Sequence, residues 1–129
     1  MTTQDWVAHV QTAVLVVVGG FLGANVRYAV SLAYPGLTGT FLANVTGSFV
    51  LGFVAYEAMY TDYLTDRGRL LVATGFLSSY TTYSTFAFQT ATVEPVLGLV
   101  NVAASYSFGF VGVVLGRWIA LRIRGETRD

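Results

Sequence analysis

Residues 75–86 read Gly-Phe-Leu-Ser-Ser-Tyr-Thr-Thr-Tyr-Ser-Thr-Phe. Inside that stretch, Ser78 to Thr85 is six Ser or Thr residues and two tyrosines in a row. Ser and Thr hydroxyls compete with a helix for its own backbone partners. Yet the run lies midway in a long uncharged segment between Arg69 and Glu94. About 20 mainly apolar residues suffice to cross a bilayer as a helix. A span interrupted at the midplane frees carbonyls, which hydrocarbon tolerates only where protein, water or an ion satisfies them. Broken helices recur as ion sites in membranes for that reason. Two readings stand here: a broken span, and a continuous helix with a hydroxyl-rich packing face.

Three further uncharged segments flank this one, from Asp5 to Arg27, Arg27 to Glu57 and Glu94 to Arg117. The pattern predicts an all-α integral membrane protein of four transmembrane helices at about 10–33, 38–59, 69–91 and 96–121. Tyr34-Pro35-Gly36 breaks the first pair, Asp62 to Arg69 forms a charged loop, and Pro95 suits the start of the last helix. Residues 1–129 are then one membrane domain, in which no soluble domain is expected. The whole composition agrees: 54% hydrophobic and 11% charged residues leave too little charge to coat a soluble globule. The residues before Val10 include Asp5 but no Lys or Arg, which argues against a signal peptide. Arginine supplies all of the basic charge. Arg67, Arg69, Arg117, Arg122, Arg124 and Arg128 fall on one side of a four-span topology and Arg27 on the other. The positive-inside rule then puts both termini in the cytoplasm of a multi-pass cell-membrane protein.

Several chemistries are excluded. There is no cysteine, so disulfides and thiolate sites are absent. His9 is the single histidine, so a multi-histidine metal site cannot form within one chain. Zero net charge gives no bulk pull toward nucleic acid. No Asp, Glu or His lies in the middle of a span, where proton-coupled transporters carry one. Hydrolase and kinase motifs are missing, so an enzyme is not expected.

Within the spans, Gly19 and Gly23 form a GxxxG pair, as do Gly112 and Gly116. Such residues serve packing within a chain and between subunits alike. Thr40, Asn44, Gly47 and Ser48 share one face of the second helix, and Asn101, Ser105 and Gly109 share one face of the fourth. Ser, Thr and Asn commonly bond between membrane helices, and for Ser and Thr that reading is favoured; for Asn44 and Asn101 packing and a functional role stand even, because a mid-membrane amide costs more to bury.

Three motifs in order resemble the CrcB/Fluc family of fluoride channels over essentially the whole chain. Gly19-Gly20-Phe21-Leu22-Gly23-Ala24-Asn25-Val26-Arg27-Tyr28 is similar to GGxxGAxxRY. Gly39-Thr40-Phe41-Leu42-Ala43-Asn44-Val45-Thr46-Gly47-Ser48-Phe49 is similar to GTxxxNxxGSF. Gly75 to Phe86 is similar to GFxGGxTTFSTF. The resemblance implies an antiparallel, dual-topology-type dimer with two pores and a third helix broken mid-membrane. It implies a structural, non-transported sodium ion at the dimer centre, held by backbone carbonyls that map onto Ser78 and Thr81. The implied fluoride path maps onto Asn44, Tyr83, Phe86 and the hydroxyls of Thr82, Ser84 and Thr85, with Ser105 extending it. Gly47 belongs to the second motif as a packing residue. Passive export of fluoride, lowering its cytoplasmic concentration and toxicity, follows from such a channel and an inside-negative potential.

The chain departs from the pattern twice. Ser78-Ser79 replaces paired glycines, and Tyr83 replaces a phenylalanine. The arginine bias also favours a fixed orientation, hence a heterodimer with an oppositely oriented homologue rather than a homodimer. Two alternatives follow: a non-conducting partner subunit of a heterodimeric fluoride channel, and a small four-helix proton-coupled drug antiporter. The latter uses a glutamate in its first helix, and this chain has none between Asp5 and Glu57.

Overall fold

The computed structural model describes residues 2–60 and 63–126, with side chains through Ile123. Asp62, in the expected charged loop, and Arg128 lie outside the described residues. Helix α1 (Thr3–Ala33) is followed by α2 (Leu37–Tyr60). A third helical segment, α3, covers residues 66–80, and α4 (Tyr83–Thr92) follows it. Helix α5 (Pro95–Glu126) closes the chain. Among the described residues, three helices are long and apolar enough to cross a membrane: α1, α2 and α5. Between the second and third of these, α3 and α4 are separate pieces, with Thr81 and Thr82 extended between them at ψ 157° and 118°.

The ends differ from the sequence expectation in three places: α3 takes Asp66–Arg69 from the expected charged loop, α5 runs on to Glu126, and the start of α1 shifts for a clear cause. Helix α1 begins at Thr3, seven residues before the expected span. Thr2 accepts from the Asp5 N–H while the Asp5 carboxylate accepts from the Thr2 N–H at 2.7 Å, a capping box. The charge gap marks where hydrocarbon begins; the cap marks where the helix begins. At 31 residues α1 is about 46 Å long, more than the ~30 Å hydrocarbon core. The first connection turns at Gly36, whose φ of +73° suits glycine. Pro95 opens α5, and Glu94 accepts from the Leu97 N–H at 3.1 Å.

Packing relies on backbone contact. Helix α5 lies along α2, and α1 lies along α3. A Cβ at Gly116 would strike the Phe49 carbonyl oxygen and come within 2.6 Å of the Phe53 nitrogen. A Cβ at Gly19 would meet the Leu71 carbonyl and lie 2.9 Å from the Gly75 Cα; one at Gly23 would meet the Phe76 carbonyl. Gly112 lies against Val45 and Phe49. Both GxxxG pairs therefore work inside the chain. Opposite Gly19, residues Leu70–Leu77 run as a π-helix, a form usually confined to single turns.

Few large apolar side chains are buried, and many face outward: Phe110 is 70% exposed and Phe21 68%. An exterior of this kind belongs in lipid. Among the described residues, the one fully buried large side chain is a carboxylate, Glu57, 1% exposed near the end of α2. It accepts from the Leu64 N–H at 2.7 Å and from Arg69 at 3.5 Å. A buried charge persists only when so paired. The pair fixes the entry into α3.

Gly116→Ala should therefore destabilise the fold, because the obstructing atoms are backbone and cannot swing away. Thermal unfolding in detergent is expected to register a loss of about 1–3 kcal/mol. Gly112→Ala, whose nearest obstacle is 3.1 Å away, should cost less.

Candidate functional site

The extended dipeptide Thr81-Thr82 is held by one side chain from α2. Asn44 Nδ2 donates to the Thr82 carbonyl at 3.0 Å, and the Thr82 N–H donates to Asn44 Oδ1 at 2.8 Å. One primary amide thus satisfies both backbone groups of Thr82, which is itself only 9% exposed. Thr82 in turn caps α4, its Oγ1 accepting from the Thr85 N–H at 3.2 Å and donating to Thr85 Oγ1 at 3.0 Å. Thr81 keeps its N–H on the Leu77 carbonyl at 3.0 Å. Gly47 brings α2 close enough for this, since a Cβ there would strike the Thr81 methyl.

These bonds have a consequence for the carbonyls. In a continuous α-helix the Thr82 N–H would serve the Ser78 carbonyl, and the Thr85 N–H would serve the Thr81 carbonyl. Both donors are diverted, to Asn44 and to the Thr82 hydroxyl. The Ser78 side chain does not compensate, because its hydroxyl turns back to Thr74 and to Gly75 at 3.1 Å.

Three concavities adjoin this break, one of about 420 Å³ along Leu77, Ser78 and Thr81 and two others. The first of those two, about 290 Å³, is an open groove lined by Asn44, Ser48, Tyr83, Phe86, Ser105 and Tyr106 among others. Phe86 is 8% exposed and forms its floor, with Tyr106 edge-on at 6.2 Å between centroids. Tyr83, 74% exposed, lies tilted against Phe86 at 6.0 Å. Ser105 Oγ is buried there with no hydrogen-bond partner among the described residues. Ser48 donates to the Asn44 carbonyl at 2.8 Å. The second concavity, about 260 Å³, lies beyond Thr82 and Thr85 and is lined by Arg27, Ser31, Thr40 and Gln89.

The residues singled out in the sequence are therefore split. Asn44, Tyr83, Phe86 and Ser105 share the groove, Thr85 faces the second concavity, and Thr82 forms part of the wall. Ser84 is exposed, its hydroxyl 3.4 Å from that of Thr82. Asn101 bonds Thr90 at 2.8 Å and ties α5 to α4 instead of joining the groove. Sequence reading missed Arg27 and Gln89 as neighbours of Thr85. Gln89 Oε1 is buried without a partner among the described residues, and Arg27 is half-buried with no carboxylate within 4.0 Å among them. The available signal was an arginine deep in an otherwise uncharged stretch.

The family model described as CrcB-like protein, Camphor Resistance (CrcB), matches residues 14–117. The chain belongs to the CrcB family. It is a family of ion channels, not of enzymes, and with the apolar spans above it makes this chain a multi-pass membrane protein. Among its relatives is a protein of Halobacterium salinarum named fluoride-specific ion channel FluC 2, 49% identical over 92% of this chain and 93% of the relative. A Haloarcula marismortui protein named fluoride-specific ion channel FluC 1 is 48% identical over 90% and 91%. One of Natronomonas pharaonis with the same name is 45% identical over 80% and 88%.

Asn44→Leu leaves both Thr82 backbone groups without their partner, each at a cost of about 1–3 kcal/mol. Hydrogen exchange is expected to quicken across residues 80–86, with a lowered unfolding temperature in detergent. Asn44→Asp keeps the acceptor but sets a carboxylate against the Thr82 carbonyl, and should restore little.

Proposed function

We propose that this chain is a subunit of a fluoride-selective channel that lets fluoride leave the cell passively. The observation that carries the reading is the groove in which Asn44, Tyr83, Phe86 and the unpartnered Ser105 hydroxyl converge. Fluoride is small and strongly hydrated, so a path must replace its water with close donors. Ser105 Oγ–H is such a donor, and so is the second N–H of Asn44. The electropositive edge of Phe86 is a third contact. In the second concavity the Arg27 guanidinium draws anions toward Thr85. The names of the relatives support fluoride as the ion.

The helix break lies at mid-membrane in this reading, and two chains of opposite orientation pair across it. The residues at the break suit a structural sodium ion. Sodium takes oxygen ligands, and the diverted N–H groups leave the Ser78 and Thr81 carbonyls available. Among the described residues no group of three or more acidic, His or Cys side chains competes for a cation. Bound there, the ion would hold the break and lend positive potential to the nearby path. Both termini lie in the cytoplasm, on the arginine-rich side. The arginine asymmetry also favours a second reading, in which the chain works only beside an oppositely oriented homologue.

Efflux from liposomes tests both. Protein reconstituted in sodium should release fluoride and retain chloride. Phe86→Leu should slow fluoride by about tenfold, the effect of ~1.4 kcal/mol in a barrier. Arg27→Gln should slow it most at low ionic strength, since salt screens the attraction. Release only after addition of the related subunit would favour the second reading. Folded protein that stays silent with and without the homologue would overturn the channel.

A further inference from the structure

The arginine-rich end of the bundle carries a cation that the channel does not use. Arg117 follows Pro95 by about 22 residues, or ~33 Å along α5, which is close to one hydrocarbon thickness. Its guanidinium carbon lies 5.3 Å from the centroid of the Tyr56 ring, and Tyr56 stacks on Tyr60. Next to it, Trp118 is half-exposed, and Arg122 sits over the Trp118 ring at 4.6 Å. Indole and phenol rings at this level mark a membrane–water boundary.

Neither arginine has a carboxylate within 4.0 Å among the described residues. Glu57, on the same stretch of α2 as Tyr56, is taken by Arg69 and the Leu64 N–H. Arg117 is exposed, so the chain leaves its N–H fork to whatever lies outside. Below it on α5, Val114 and Val111, three residues apart, are both exposed, an apolar strip running from the guanidinium toward the bilayer centre.

We propose that Arg117, backed by Tyr56, binds the phosphodiester of an anionic phospholipid whose acyl chains lie along Val114 and Val111. A guanidinium matches two phosphate oxygens with parallel N–H bonds. The ring beneath fixes its plane and leaves the outer edge open. The apolar strip selects a lipid over free phosphate. The site rests on membrane insertion and not on fluoride conduction, so its failure would leave fluoride efflux untouched.

The test is thermal unfolding of the detergent-solubilised protein with phosphatidylglycerol, phosphatidylcholine or inorganic phosphate added. Phosphatidylglycerol should raise the unfolding temperature by about 4 °C over phosphatidylcholine. R117Q should lose more than half of that gain, R117K should keep only part of it because lysine lacks the fork, and R122Q should keep most of it. An equal gain in R117Q, an equal effect of phosphatidylcholine, or a matching effect of inorganic phosphate would overturn the site. Native mass spectrometry of the unmodified protein is independent of variant folding. Preferential retention of phosphatidylglycerol supports the proposal, and equal retention of both lipids contradicts it.

Discussion

Hydrocarbon offers a peptide group no water, so each N–H and C=O within it must find a protein partner or an ion. In the proposed reading, the exchange between Asn44 and Thr82 meets that demand where the backbone leaves the helix between α3 and α4. Two hydrogen bonds from a single amide allow Thr82 to be extended, 38 residues away in sequence from its partner. Everything near the site depends on this. With Thr82 extended, its hydroxyl can cap α4, and with α4 so started, Phe86 turns inward while Thr85 faces the second concavity.

The amide reaches its target because the helices touch at their backbones. Gly47 admits Thr81 to α2, Gly19 and Gly23 admit the π-helical part of α3 to α1, and Gly116 admits α5 to α2. Since lipid tails are as apolar as the side chains, burial of apolar surface cannot supply such contacts, and van der Waals fit must. This explains a core with only a few large apolar side chains beside an exterior rich in them. The channel geometry and the glycine seams are two aspects of one packing solution.

Much of the fold could be read from charge spacing alone, because a bilayer imposes a length on apolar runs. The hydroxyl run at 78–85 was legible as a weak point for the same local reason: poor helix formers in a row. What local reasoning could not reach are the pairings across sequence. Asn44 was read as a donor for the path. In the structure its acceptor and one of its two N–H groups are committed to Thr82, so one N–H remains. In the sequence Glu57 only closes the second uncharged segment, yet among the described residues it is the most deeply buried large side chain, because its partners Leu64 and Arg69 come from beyond the turn. The π-helical run has no pattern in residue types that distinguishes it from an ordinary helix.

In the proposed reading, the groove and the concavity beside Thr85 differ in a way that bears on conduction. One holds a full positive charge, Arg27, and the other holds only neutral donors. A unit charge about 6 Å from an anion is worth about 3 kcal/mol at an effective dielectric constant near 20. That is enough to concentrate an anion at the Thr85 side and too little to trap it. A second fixed cation inside the groove would deepen the well and slow release, because throughput requires sites weak enough to leave. Hydroxyl, amide and ring-edge contacts are each modest, and their donors can reorient as the ion moves. A lining of Ser105, Asn44 and Phe86 next to an arginine-bearing mouth therefore suits passage better than storage.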